Sequence, residues 1–185
     1  LLKSGNSLCQ FPEGFSLPRD ELIVASEVTK PVKILRMASN FEIAKSAICA
    51  LSQSHGSNLS NTKQANDWLV EFESTIQAWE IADLLLREDS TTTFRFFGAK
   101  IFYSKVERHF DQLKAAGLVD WLKQSLISHL LRLSTESPVD MKVCRYICLA
   151  IAALAVQLNQ DGVVNEILGI LNPIISKSPK IVLQL

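Results

Sequence analysis

The chain has 185 residues, of which 48% are hydrophobic, so it is long enough to bury the core of one or two ordinary domains. Its 19 basic residues balance its 19 acidic residues. This balance leaves no overall field that would hold a nucleic acid backbone or an anionic membrane, and a primary DNA- or RNA-binding function is therefore disfavoured.

Residues 1–40 differ in composition from the rest of the chain. Glycines and prolines interrupt short apolar stretches there, and these stretches are too brief for a helical repeat. We predict a weakly ordered N-terminal extension over 1–40, with one short helix near 32–37. The interruptions are Gly5, Pro12, Gly14, Pro18 and Pro31.

From Phe41 onward, apolar residues recur at helical spacing in segments that short polar turns separate. Consecutive helices form antiparallel pairs, and each pair needs a neighbour to cover its apolar face. The pairs recur at roughly 40 residues, which is the period of HEAT-type units. The predicted helices are 41–54, 62–76, 77–87, 92–113, 118–134, 139–158, 163–171 and an eighth that begins at 179.

The predicted fold class is therefore all-α. We expect an α-α superhelix, that is, a HEAT-type solenoid of about four repeats over 41–185. The last unit stops within a helix, so the solenoid is expected to be truncated at the C-terminus.

The longest uninterrupted apolar run, Ile147 to Val156, predicts a buried helix, because a helix that crosses a bilayer needs about 20 such residues. Cys144 and Cys148 lie on one side of this predicted helix, but tetrahedral zinc would need two further ligands. Buried free thiols are predicted here, as for Cys9 and Cys49.

The sequence contains no catalytic motif. Its seven glycines are dispersed and form neither of the common phosphate-binding patterns. His55, His109 and His129 lie on different predicted segments, which favours surface or helix-end positions for them. We predict that the protein is not an enzyme and that it holds no cofactor and no metal.

An aromatic cluster within 92–113 allows two interpretations. Its rings alternate with Arg95, Lys100 and Lys105, a mixture that also occurs in proteins that bind single-stranded nucleic acids. Helical spacing favours core packing instead, with Phe96 and Tyr103 facing outward. We further predict that four residues are buried between helix pairs, namely Trp68, Trp79, Phe97 and Leu149.

Several short residue patterns follow one another in a fixed order along the chain. Gln64 to Phe72 contains a Trp-Leu pair, Gln77 to Leu85 contains an Ala-Trp and a Leu-Leu pair, and Phe96 to Ala99 places an aromatic pair before glycine and alanine. An alanine- and leucine-rich stretch follows at Leu149 to Ala155. In this order they resemble the N-terminal HEAT-repeat region of the importin-β superfamily of nuclear transport receptors (karyopherins), and within it the transportin-SR and importin-thirteen branch.

The resemblance implies a receptor that shuttles between nucleus and cytoplasm and carries protein cargo through the nuclear pore. It implies three kinds of partner, which are the small GTPase Ran in its GTP form, protein cargo and nucleoporins, and no direct contact with nucleic acid or membrane. A generic α-solenoid scaffold for protein–protein interaction, unrelated to Ran, is the alternative.

In this family the N-terminal repeats bind Ran-GTP on a concave surface that the second helix of each pair builds. The second helices here would be 62–76, 92–113 and 139–158. Their polar side chains are therefore the candidate contacts with a partner. These candidates are Asp67, Glu71, Arg95, Lys105 and Arg145.

Overall fold

A computed structural model describes residues 30–52, 59–87, 91–136 and 139–158, together with the single positions 165, 169, 172 and 176. Within these residues all regular secondary structure is helical, which confirms the predicted all-α fold class with HEAT-type helix pairs. The helices are α1 (Lys30–Ser52), α2 (Leu59–Glu73), α3 (Gln77–Arg87), α4 (Thr92–Arg108), α5 (Phe110–Ala115), α6 (Val119–Thr135) and α7 (Met141–Leu158).

The chain divides into two compact units, and the first is Leu1–Thr75. Its helices α1 and α2 pack together as a pair. Both apolar stripes have helical spacing and consist largely of small or aliphatic side chains, which allow close packing. The buried residues of this pair are Ala44, Ala47, Ile48, Ala65, Leu69 and Phe72.

Helix α1 begins before the predicted boundary at residue 41. Pro31 is its second residue, and the first turn of a helix tolerates proline because its missing N–H would have no intrahelical partner there. Residues 30–40 are thus helical, whereas 1–29 lie outside the described residues. The weakly ordered extension stays a prediction for that part of the chain.

The second unit, Ile76–Leu185, contains the pairs α3 with α4 and α6 with α7. Helices α4 and α7, the second members of these pairs, also pack against each other, and α3 contacts α6. Thr91 caps α4 at its N-terminus, because its hydroxyl accepts a hydrogen bond from the Phe94 N–H at 3.4 Å. Neighbouring repeats are therefore joined by both their first and their second helices.

The predicted helix 92–113 is divided at His109, whose backbone leaves the helical region at φ −132° and ψ 25°. Its N–H still donates to the Lys105 carbonyl at 2.8 Å, and α5 starts at the next residue. Gly117 then turns the chain with φ 66°, a left-handed conformation that favours glycine. A short helix therefore connects α4 to α6.

Helix α7 is apolar on more sides than its neighbours cover. Its buried residues include Ile147, Ala150 and Leu154, which belong to the core that α4 and α6 share with it. Val156 on another side is 77% exposed. By length and composition α7 is also apolar enough to cross a membrane, but core helices often have the same composition.

Of the four residues predicted to be buried between helix pairs, Trp79 is fully buried and the prediction is confirmed for it. Trp68, Phe97 and Leu149 are only half-buried, and the prediction is wrong for these three. Trp68 stacks on Phe72 with ring centroids 4.9 Å apart, so one face of the indole is covered. All three lie at the margins of the core.

The predicted helix 163–171 falls largely outside the described residues. Asn165 and Gly169 are helical as predicted. Asn172 and Ser176 are helical as well, beyond the predicted end, and the Ser176 hydroxyl donates to the Asn172 carbonyl at 2.8 Å. The predicted helix from 179 lies wholly outside the described residues.

Candidate protein-binding surface

The five candidate contacts differ in exposure. Asp67 and Glu71 are exposed on α2, and Arg145 is exposed on α7, so these three can reach a partner. Arg95 is half-buried and Lys105 is buried. The part played by each of the three exposed residues in binding stays a prediction.

Lys105 was expected on the polar face of its helix, and this expectation is wrong. The side chain is fully buried, because Lys105 follows the buried Ile101 and Phe102 by one helical turn and shares their face. Its Nζ lies 4.8 Å from the centroid of the Trp79 ring and donates to Gln112 Oε1 at 3.4 Å. The ring and the amide stabilise the buried charge, so Lys105 belongs to the core.

Arg95 joins the start of α4 to the end of α6. Its Nη1 donates to Glu136 Oε2 at 2.6 Å, and the Arg95 side chain is only 14% exposed. Arg132 lies 3.5 Å from the other Glu136 oxygen and also donates to the Leu86 carbonyl, so α3 joins the same network. Arg95 therefore already has a carboxylate partner within the fold.

Four aromatic side chains form a continuous patch where α4 and α7 meet. We call Phe96, Phe97, Tyr103 and Tyr146 the aromatic patch. Phe96 contacts Tyr146 edge to face at a centroid distance of 5.3 Å, and Tyr103 lies 6.1 Å from Tyr146. Phe96 and Phe97 are 5.7 Å apart at an interplanar angle of 90°. All four rings are half-buried, so each keeps some surface in solvent.

The sequence predicted part of this arrangement. Phe94 and Phe102 are buried, as the core interpretation requires. Phe96 and Tyr103, expected to face outward, are half-buried because Tyr146 covers part of each ring. Tyr146, which belongs to α7, is the member that the pattern of residues 92–113 could not indicate.

Charged side chains surround the aromatic patch. The Lys100 Nζ lies 5.7 Å from the centroid of the Phe97 ring, and Lys100 itself is exposed. On the other side, the Tyr103 hydroxyl donates to Glu107 Oε1 at 2.6 Å. This hydrogen bond is the main reason that the pKa of Tyr103 is raised. The patch thus combines apolar surface with a cation and an engaged carboxylate.

A buried polar cluster between α3 and α6 was not expected from the sequence. Asp83 Oδ1 accepts hydrogen bonds from the Ser125 hydroxyl and from His129 Nε2, the second at 2.8 Å. Arg87 contacts the other carboxylate oxygen at 2.8 Å. The surface or helix-end position expected for His129 is wrong, since His129 is only 5% exposed.

Burial alone would raise the pKa of Asp83, but the hydrogen bonds from His129 and Ser125 outweigh it and leave this pKa below its ordinary value. The cluster contains serine, histidine and aspartate, yet it does not have the geometry of a nucleophilic site. Ser125 and His129 both bond to the same Asp83 oxygen, whereas an activated serine must donate to the histidine. The cluster joins two helices.

Cys144 and Cys148 are buried free thiols, as predicted, and Cys49 is a half-buried free thiol. Burial is the main cause that raises the pKa of Cys144 to about 11 and that of Cys148 to about 12. Cys9 and His55 lie outside the described residues. Among the residues that the structure describes, no group of three or more His, Cys, Asp or Glu side chains could hold a metal ion.

No family model matches the chain. It is 37% identical over 95 residues to Transportin MOS14 of Arabidopsis thaliana, which is 51% of this chain. It is 27% identical over 105 residues to Importin-13 of Homo sapiens and 29% identical over 109 residues to Importin-13 homolog A of Dictyostelium discoideum. These matches cover 57% and 58% of this chain.

The matched segment spans 10% of the length of each of these relatives. Similarity to both an importin and a transportin agrees with the resemblance to the importin-β superfamily. The helix pairs of the described residues fit the HEAT repeats expected for karyopherins. That the protein is not an enzyme stays a prediction.

Proposed function

We propose that this chain forms N-terminal HEAT repeats of a nuclear transport receptor of the transportin-SR and importin-thirteen branch. The receptor binds Ran-GTP, carries protein cargo through the nuclear pore by contacting nucleoporins, and shuttles between nucleus and cytoplasm. The observation that carries this proposal is the 37% identity to Transportin MOS14 over 95 residues. The packing of α4 against α7 agrees with it, because second helices that lie side by side can share one binding surface.

The proposed binding is non-covalent and uses exposed side chains of the second helices. Asp67 and Glu71 would present carboxylates from α2, and Arg145 would present a guanidinium group from α7. Arg95 and Lys105 would act indirectly, since both are held inside the fold by Glu136 and Trp79 respectively. Hydrolysis of GTP would be the chemistry of the GTPase and not of this chain.

Linked binding would let such a receptor release its cargo. A solenoid changes curvature through small rotations between repeats, and each partner favours the curvature that it binds better. If Ran-GTP and cargo favour different curvatures, each weakens the affinity of the other by the same factor. The polar contacts between α3 and α6 would oppose rotation between the two repeats of the second unit.

A pulldown with GTP-locked and GDP-loaded Ran tests the proposal on the complete protein. We expect retention of the GTP form only, and we expect the charge reversals Glu71→Lys and Arg145→Glu to weaken it. Lys114→Glu is the matched control, because Lys114 is exposed on α5 and not on a second helix. Equal retention of both forms, or of neither, would contradict the proposal and favour a scaffold unrelated to Ran.

A further inference from the structure

We propose that the aromatic patch is a docking surface for an acidic segment of a protein partner. The inference rests on the proposed function, because it assigns a partner chemistry to part of the surface that α4 and α7 present. It adds what neither the family similarity nor the candidate contacts specify, namely that this part of the surface selects negative charge beside an apolar side chain.

The aromatic patch is already ordered before a partner binds. Each ring touches another ring of the patch, across α4 and α7 as well as within α4. Side chains that are fixed before binding lose little conformational entropy when a partner arrives. Aromatic side chains are also enriched in interfaces between proteins.

The exposed charge around the aromatic patch is mostly positive. Lys100 lies one helical turn from both Phe96 and Tyr103, and Lys142 lies one turn before Tyr146. Arg145 is the residue before Tyr146, and all three cations are exposed.

Glu107 is the exposed carboxylate of this region, and Tyr103 already donates a hydrogen bond to it. Among the described residues, no carboxylate forms an ion pair with Lys100, Lys142 or Arg145. A local excess of positive charge attracts an acidic partner and sets its orientation, although the chain as a whole is neutral.

The geometry of the rings favours a protein segment over a nucleic acid, which aromatic and basic residues can also bind. Stacked bases need ring faces that are free. Here Phe96 meets Tyr146 at 89° and Phe97 at 90°, so edges of rings are directed at the faces of their neighbours. Edge-to-face packing places ring edges beside ring faces, so the patch presents apolar surface to the aliphatic side chains of a peptide but no flat platform to planar bases.

The test uses the complete protein and three fluorescent probes in anisotropy titrations. The probes are a glutamate-rich peptide that contains leucines, the same peptide with lysine in place of glutamate, and a single-stranded oligonucleotide. We expect the acidic peptide to bind at least about tenfold more tightly than the basic peptide. The acidic peptide should also lose affinity as salt is added, since exposed charges are screened.

Substitutions that change the local charge in opposite directions test the surface itself. The double change Lys142→Glu and Arg145→Glu should weaken binding of the acidic peptide about tenfold, whereas Glu107→Gln should strengthen it. Lys114→Glu serves again as the control and should leave the affinity unchanged. Circular dichroism of each variant checks that the helices are intact.

Preference for the basic peptide or for the oligonucleotide would overturn the inference, and so would an equal effect of the control. Retention of Ran-GTP by the unsubstituted protein separates this outcome from failure of the proposed function. If Ran-GTP is retained but the acidic peptide does not bind, only the docking inference fails. If the peptide binds at this surface but Ran-GTP is not retained, only the proposed receptor function fails.

Discussion

Replacing Gly98 with alanine tests the close approach of α3 and α4. A Cβ atom at residue 98 would lie 2.8 Å from the backbone oxygen of Ala82, 3.1 Å from Leu85 Cβ and 3.1 Å from Leu86 Cγ. The Ala82 oxygen is part of the α3 backbone, so the contact can be relieved only if one helix shifts. Overpacking of this kind costs about 1–3 kcal/mol, whereas alanine in place of glycine gains about 1 kcal/mol of helix propensity. Since the closest contact is with backbone, which cannot move aside alone, we expect a cost in the upper half of that range. The net destabilisation should then be about 1–2 kcal/mol.

Urea unfolding followed by far-ultraviolet circular dichroism measures this difference through the midpoint of the transition. Gly169→Ala is the matched control, because residue 169 is helical and a Cβ atom there would have no neighbour within 4 Å. We expect this variant to be more stable than the original chain by about 0.5–1 kcal/mol. If Gly98→Ala stabilised the protein as much as Gly169→Ala does, the close packing of α3 on α4 would be refuted.

Three further predictions concern the carboxylate of Asp83, the thiols and the side chain of Lys105. Because the pKa of Asp83 lies below its ordinary value, its contribution to stability is present above about pH 4 and is lost as the pH falls through the folded-state pKa. Asp83→Asn should therefore reduce the free energy of unfolding by about 2–3 kcal/mol near neutral pH, and urea titrations at lower pH should show this difference shrinking. Iodoacetamide at about pH 8 should modify Cys49 faster than Cys144 and Cys148 in the native protein, and peptide mapping that found equal rates would contradict their burial. Lys105→Met should change the melting temperature little while Lys105→Glu lowers it by several degrees, and equal melting temperatures would mean that residue 105 is exposed.

Helix bounds could be predicted where the sequence contains clear signals for the end of a helix. Helix α3 has the predicted range 77–87, because an apolar stripe ends there at polar residues that favour a cap. The division at His109 could not be predicted, since neither glycine nor proline lies between Gly98 and Gly117 to mark it. Val106 and Phe110 are both buried and lie four residues apart, so the apolar pattern continues at helical spacing across the division.

The buried and paired side chains show a second limit on what could be predicted from the sequence. Lys105 could have been assigned to the core, since it shares a helical face with Ile101 and Phe102 and its stem is apolar. The pairing of Asp83 with His129 could not, because 46 residues separate them and only the contact of α3 with α6 brings them together. The same holds for Tyr146, which joins the aromatic patch from α7.

Residues that carry the family resemblance are largely those that carry the packing of α3 on α4. Trp79 and the Leu-Leu pair belong to α3. The centroid of the Trp79 ring lies 6.3 Å from that of the Phe102 ring of α4, and Gly98 lets α4 approach Leu85 and the Ala82 carbonyl closely. These side chains would be needed in any pair of helices that packs in this way, whatever partner the pair binds. The proposed binding surface would depend instead on half-buried and exposed residues such as Tyr146 and Arg145, which the core does not constrain. Similarity to importins is therefore a stronger argument for the architecture than for the partner, and binding measurements on surface variants are what can decide between Ran and another protein.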